Sequence, residues 1–308
     1  DQDCNQWWEW PEPLRARNPE ALAEIRVRLA SEIEYILFEQ YLFFQQWHEM
    51  KRYANARGIE LFGDMPIFIA HDSAEVWANQ HDFMLDWSGA PRVVAGVPPD
   101  YFSATGQRWG NPLYDWKRVQ ADDFSFWVRR LKTQLAMYDL VRIDHFRGFE
   151  SYWEIPAADD TAMNGHWVEA PGKELFERLH QEYNPLPLVA EDLGIITPEV
   201  EELRDSFGLP GMKVLQFAFS GDPTNPHLPF KYPPNSVVYA GTHDNNTTIG
   251  WYESLDQSTR SQVDEYLGNS SLAMPWPMLW NVLASPSNLA ILQMQDLLEL
   301  DGEHRMNT

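Results

Sequence analysis

Apolar residues recur three or four apart from Asn18 onward, at Leu22, Ile25, Leu29, Ile33 and Ile36, then at Phe44, Trp47 and Met50. That spacing predicts a helical region with one buried face. Asn18 suits an N-cap, Pro19 the first helical position, and Gly58 a C-terminal cap. A run of about 40 residues is long for one globular helix, so a break is expected inside it. Residues 1–17, rich in Trp, Pro and Arg without a period, read as a connecting segment.

Beyond Gly58 the period changes. Strands are expected at 59–68, 140–144, 188–191, 214–219, 236–240 and 288–295, and helices at 73–83, 121–139, 172–183, 198–206, 256–267 and 275–284. Residues 88–116, dense in Gly, Pro and aromatics, read as a long structured loop. This alternation argues for an α/β fold of parallel βα units, with about six strands where a closed barrel has eight. No solenoid repeat or low-complexity tract interrupts it.

Composition narrows the partners. The 308 residues are 44% hydrophobic, enough for a sizeable core. Acidic residues number 46 against 23 basic ones, a formal charge of −23 that repels nucleic acid and anionic membranes alike. The single cysteine, Cys4, cannot form an internal disulfide, which suits a reducing cytoplasm. No apolar run approaches a membrane span, and no basic-then-apolar signal sequence opens the chain. The chain does not begin with Met, which points to processing or truncation. Most of the 14 Trp, 16 Phe and 12 Tyr are expected in the core, with some left to stack on sugar rings.

Three segments place acids where an apolar strand gives way to a loop: VRIDHFRG (141–148), VAEDLG (189–194) and YAGTHDN (239–245). Charged groups there cost desolvation unless something pairs or uses them. Strand alternation puts Arg142 and Asp144 on one face, and the cation favours an ionised Asp144, as a nucleophile requires. Glu191 follows Leu188, Val189 and Ala190 in a less charged setting that raises a carboxyl pKa, as a general acid requires. Asp244, beside His243, is a third carboxylate for the reacting carbon. Separate nucleophile and acid define a retaining glycosidase-type mechanism. Two other readings compete. The acids could be salt-bridged scaffold residues, or His71, Asp72, Asp144, His145, His243 and Asp244 could ligate a metal, although adjacent strand residues face opposite ways and no His-x-His motif is present.

The runs GDMPIF (63–68), GVPPDYFSATGQRWGNPLY (96–114), VRIDHFRGFE (141–150), AEDLGIITPEV (190–200), FGLPGMKVLQFAF (207–219), GTHDN (241–245) and MQDLLELDGEHRMN (294–307) closely resemble the amylomaltases, the 4-α-glucanotransferases of glycoside hydrolase family 77. The resemblance covers nearly the whole chain. It implies a (β/α)8 barrel of the α-amylase clan type with inserted helical segments, divided here into a helical subdomain at 1–58 and a barrel portion at 59–308. The implied roles are Asp144 as nucleophile, Glu191 as acid/base and Asp244 as transition-state stabiliser. Arg142 and His243 would flank the sugar, Asp64 would bind it, and Tyr101, Phe102 and Trp109 would lie in an active-site loop, 95–114. The implied partners are α-1,4-glucans, with no metal or organic cofactor, in the cytoplasm or a plastid. A hydrolase with the same acids and an inactive glucan-binding relic are the alternatives. Ala104 departs from the family, where many members carry a carboxylate. The chain also starts after the family's first two barrel strands and stops at 305–308, before its closing segments. The incomplete barrel that this implies is expected to fold poorly or be inactive alone.

Overall fold

Asn18 caps the first long helix, its side chain accepting from the backbone N–H groups of Glu20 and Ala21 at 3.0 and 3.2 Å. In the computed structural model, which describes residues 6–99, 103–268 and 270–307, this helix spans Pro19–Arg28. The expected break falls at Leu29 (φ −104°, ψ 25°), and Ala30–Asn55 continues beyond it. Gly58 follows with φ +71°, a conformation that glycine adopts without strain. The face expected to be buried is only partly covered: Leu22, Ile25, Ile33, Phe44 and Trp47 are half-buried, whereas Leu29 and Met50 are exposed and Ile36 is 55% exposed. Periodicity says only that residues share a face, whereas burial needs a second element over it. The far end of the helix is tied down, with Trp47 Nε1 donating to Met137 O at 2.8 Å and Lys51 Nζ to Tyr138 O at 2.7 Å. Nor is 1–17 merely connecting. It carries a 3-10 turn at Trp7–Glu9 and a helical turn at Glu12–Arg15, and the buried Trp7 indole donates to His71 O at 2.6 Å.

The chain divides into two compact units, one of residues 1–188 and 195–203, the other of 189–194 and 204–308. The first holds strands β1 (Phe62–Pro66), β2 (Val93–Val97), β3 (Gln107–Pro112), β4 (Leu140–Asp144), β5 (Ser151–Pro156) and β6 (His166–Glu169). β1 and β4 pair in parallel. β7 (Leu188–Ala190) begins on the last residue of the 1–188 stretch. The region expected as a loop at 88–116 instead contributes β2 and β3 to an antiparallel sheet ordered β3–β2–β5–β6. Gly96 permits that pairing, since a Cβ there would lie 2.1 Å from Gln107 O. Val94, Ile155 and Ala162 form its core, with Trp153 against them. The helix expected at 121–139 is two, Trp116–Ala121 and Ser125–Met137, separated by positive φ at Asp123 and Phe124.

In the second unit, β8 (Gly211–Val214), β9 (Ser236–Tyr239) and β10 (Leu289–Ile291) pair in parallel in the order β10–β9–β8. Five of the strands read from the sequence are thus present as β1, β4, β7, β9 and β10 with shifted limits, while the sixth meets β8 only at Val214. The strand placed at 214–219 ends at Val214 and gives way to a 3-10 turn, Leu215–Ala218, and the one placed at 288–295 yields to a helical turn at Met294–Leu297. Leu215, Ala218, Tyr232, Val238, Ala240, Met278, Leu279 and Val282 form a buried cluster in this unit. No helix among the described residues is long and apolar enough to cross a membrane.

Candidate active site

Parallel pairing sets Asp64 opposite Arg142, and Pro66 opposite Asp144. Arg142 donates from Nε to Asp64 Oδ1 at 2.8 Å, and from Nη2 to Asp64 Oδ2 at 2.7 Å and Asp144 Oδ1 at 2.9 Å. One planar guanidinium thus holds two carboxylates, two of its bonds forming a fork on Asp64. The Arg142 side chain is 7% exposed, while those of Asp64 and Asp144 are 40% and 44% exposed. The cation is sunk into the strand end and its partners face outward, so the expected pairing of Arg142 with Asp144 is present and Asp64 joins it.

Support comes from residues with no obvious signal in the sequence. Buried Arg130 donates to the carbonyls of Ile67 at 3.1 Å and Pro66 at 2.5 Å, and the buried Tyr114 hydroxyl donates to Ile67 O at 2.7 Å. Together they fix the chain where β1 ends. After Asp144 the backbone turns through His145, which sits at φ +56°, a conformation uncommon outside glycine. Its ring meets Trp109 edge-on at 4.8 Å and Phe68 at 6.3 Å. Trp109, on β3, is 39% exposed. Tyr101 and Phe102 lie outside the described residues.

In the second unit Glu191 directly follows β7, and its Oε1 accepts from Leu193 N at 3.0 Å. The next residue, Asp192, is buried; it accepts from Met212 N at 2.6 Å and forms a close ion pair with Arg204. Burial pushes the Asp192 carboxyl upward, opposed by the Met212 N–H, Lys213 and Arg204. This pair fastens the residues after β7 to β8. Asp192→Ala removes the acceptor of Met212 N and leaves Arg204 only its bonds to Asp205, at 2.8 Å, so a cost of about 2 kcal/mol is expected, read as a lower urea midpoint at unchanged slope. An unchanged midpoint would remove Asp192 from this role.

Asp244 lies beyond β9 in a turn closed by Asn245, whose Oδ1 accepts from Thr242 N and Oγ1 at 2.8 and 2.9 Å. His243 Nε2 stands 3.3 Å from Asp244 Oδ2. Among the described residues no three His, Cys, Asp or Glu side chains converge as cation ligands. His71 instead stacks on Trp8 at 3.9 Å, its Nε2 2.7 Å from Gly89 O.

An arginine-bridged carboxylate pair thus stands at one strand end, and single acids lie beyond two others. The model of the 4-alpha-glucanotransferase family matches residues 1–308. The chain belongs to the 4-alpha-glucanotransferase family. It is 53% identical to the 4-alpha-glucanotransferase of Thermus thermophilus and 52% identical to that of Synechocystis, each over 98% of this chain. Its structure is similar to that of the amylomaltase from Streptococcus agalactiae in complex with acarbose, with a TM-score of 0.95 and 40% identity over 98% of this chain. The chain spans 62% of the Thermus relative, 60% of the Synechocystis relative and 62% of the amylomaltase chain.

Two histidines give this 4-alpha-glucanotransferase family member a defined acid response. Burial lowers the His145 pKa to about 4, assisted by Arg147, and lowers that of His227 to about 4, assisted by Lys213. Val214 N donates to His227 Nδ1 at 3.1 Å, a bond that requires the neutral ring. Unfolded histidine titrates near 6.5, so between about 6.5 and about 4 the unfolded chain binds protons that the folded chain does not. Stability is therefore full above about 6.5 and falls as pH drops towards about 4, by up to about 3 kcal/mol per histidine. Urea midpoints from pH 7 to pH 4 measure the loss, and His227→Gln should flatten the slope; an equally steep slope in that variant would exclude His227 as a cause.

Proposed function

We propose that this chain carries the catalytic machinery of a 4-α-glucanotransferase, which moves α-1,4-glucan segments between maltodextrins by a retaining double displacement. The observation that carries the reading is the Arg142 bridge between Asp64 and Asp144 at the ends of adjacent parallel strands, in a chain of this family. An arginine at that position keeps a carboxylate oriented and charged for attack. Similarity to an amylomaltase solved with acarbose supports glucans as partners, and family membership supports transfer over hydrolysis.

In the proposed cycle Glu191 protonates the glycosidic oxygen while Asp144 attacks the anomeric carbon. The C1–O bond breaks, the fragment leaves with its 4-hydroxyl restored, and a glycosyl ester remains on Asp144. Glu191, now ionised, takes the proton from the 4-hydroxyl of an incoming glucan, which attacks C1, displaces Asp144 and restores the α-configuration. Asp244 stabilises the positive charge that develops at C1. Arg142 and His243 flank the sugar, Asp64 binds it, and Trp109 with Tyr101 and Phe102 stacks it and excludes water that would hydrolyse the ester. The cycle calls for neither metal nor organic cofactor. We further assign the fold to an incomplete (β/α)8 barrel of the α-amylase clan type, with 1–58 as a helical subdomain and 59–308 as the barrel portion. The enzyme is placed in the cytoplasm, or in a plastid.

Incubation with maltotriose tests the reading. A ladder of longer oligomers plus glucose is the expected product pattern; maltose and glucose without longer products would make water the acceptor and the protein a hydrolase.

A further inference from the structure

We propose that Asn307 is a positioning residue for the Asp244 carboxylate, presented by a strap formed by residues 301–307. The inference rests on the role proposed above for Asp244. The Asp244 side chain is 55% exposed, so packing alone does not fix its rotamer. Asn307 Nδ2 donates to its Oδ1 at 2.9 Å, while Oδ2 faces His243 Nε2 at 3.3 Å. Arg305 closes the arrangement, donating from Nε to Asn307 O at 2.7 Å and from Nη2 to Asp244 O at 3.4 Å. Of the groups these contacts bring to Asp244, Arg305 reaches its backbone carbonyl, the His243 ring faces Oδ2, and Asn307 is the neutral donor to the carboxylate.

Neutrality is what the chemistry asks for. A carboxylate that stabilises positive charge on a sugar must be oriented, yet its charge must not be cancelled by a full cation on its free oxygen. An amide donates one directional hydrogen bond and adds no charge. An exposed hydrogen bond holds weakly on its own, so the strap must itself be anchored. Backbone contact provides this: a Cβ on Gly250 would stand 2.6 Å from Gly302 Cα and 2.7 Å from Gly302 N, and a Cβ on Gly302 would stand 2.9 Å from Asn246 Oδ1. Glycine at position 250 allows the backbone of Gly302 so close an approach, while Asn246 fills the space beside Gly302 with its side chain. Asp301 then caps the turn Gly302–His304, accepting from Glu303 N at 3.1 Å, with His304 Nδ1 2.9 Å from the same oxygen. The strap is therefore pressed onto the first turn of the helix Thr248–Ser254, just past Asp244.

Two substitutions test this in the full chain. Asn307→Ala should lower kcat for maltotriose disproportionation about 10- to 100-fold with KM changed by less than about threefold, the loss of one bond to a charged group expressed in the transition state. In Asn307→Asp the introduced carboxyl repels Asp244 when ionised and can donate to it when protonated. Its kcat should therefore be low at pH 7 and recover relative to Asn307→Ala as pH falls towards 5. A residue of merely structural importance would not produce that recovery. Carbon relaxation at the Asp244 carboxyl provides a readout independent of turnover: ordered in the unmodified chain, mobile in Asn307→Ala. Wild-type kcat in Asn307→Ala, parallel pH profiles in the two variants, or unchanged carboxyl order would each overturn the proposal. If Asp244→Asn keeps full activity, or if the unmodified chain makes no ladder, the functional reading fails, and the relaxation measurement still decides the positioning claim.

Discussion

Asp144→Asn is expected to lower kcat for glucan transfer by about four orders of magnitude, since an amide cannot form the glycosyl ester that links the two half-reactions. Folding should survive the change. Arg142 keeps both bonds to Asp64, at 2.8 and 2.7 Å, and the amide oxygen can still accept where Asp144 Oδ1 does, at 2.9 Å. With the Asp144 side chain 44% exposed, the stability change should stay within about 1 kcal/mol. The diagnostic result is therefore a large activity loss at an almost unaltered melting temperature. Activity within tenfold of the unmodified protein would remove Asp144 from the nucleophile's role, and a collapse of the melting transition would mean that its part is structural.

The second large effect is expected at Arg142. Lysine preserves the charge but offers a single compact ammonium, which cannot span Asp64 and Asp144 as the guanidinium does. Arg142→Lys should lower kcat about 100-fold or more, through misorientation of Asp144, and destabilise the chain by about 1–2 kcal/mol because the side chain is only 7% exposed while its partners are partly solvated. Steady-state kinetics beside denaturant melts separates the two quantities. A Lys variant with near-normal kcat would show that charge alone suffices and that the fork on Asp64 is dispensable.

Much of this site was legible because strand alternation is local. Arg142 and Asp144 are two residues apart on one strand, so their shared face needed no tertiary information, and the 2.9 Å ion pair is present. The strands that could be read are apolar runs flanked by helix patterns; five are present with shifted limits, and the one placed at 214–219 touches β8 only at Val214. β2 and β3 escaped notice because their pairing depends on a bare Gly96 and on a strand, QRWGNP, whose composition is that of a loop. The apolar face of Ala30–Asn55 was readable as a face; that it is only half covered was not, because burial depends on what lies opposite.

By itself, then, the sequence determined the acidic residues, their placement after apolar strands, the charge of −23 and the local pairing of Arg142 with Asp144. It also carried the motifs that mark the family. Tertiary structure alone decided that Asp64, 78 residues from Arg142, shares its guanidinium, because the register of β1 on β4 sets that pairing. It likewise decided that Asp192 is a buried fastener of β7 to β8, and that Asn307 reaches Asp244 across 63 residues of chain. The physical reason is the range of the forces at work. Alternation and capping are written in neighbouring residues, whereas register, burial and close backbone approach follow from packing between segments far apart along the chain.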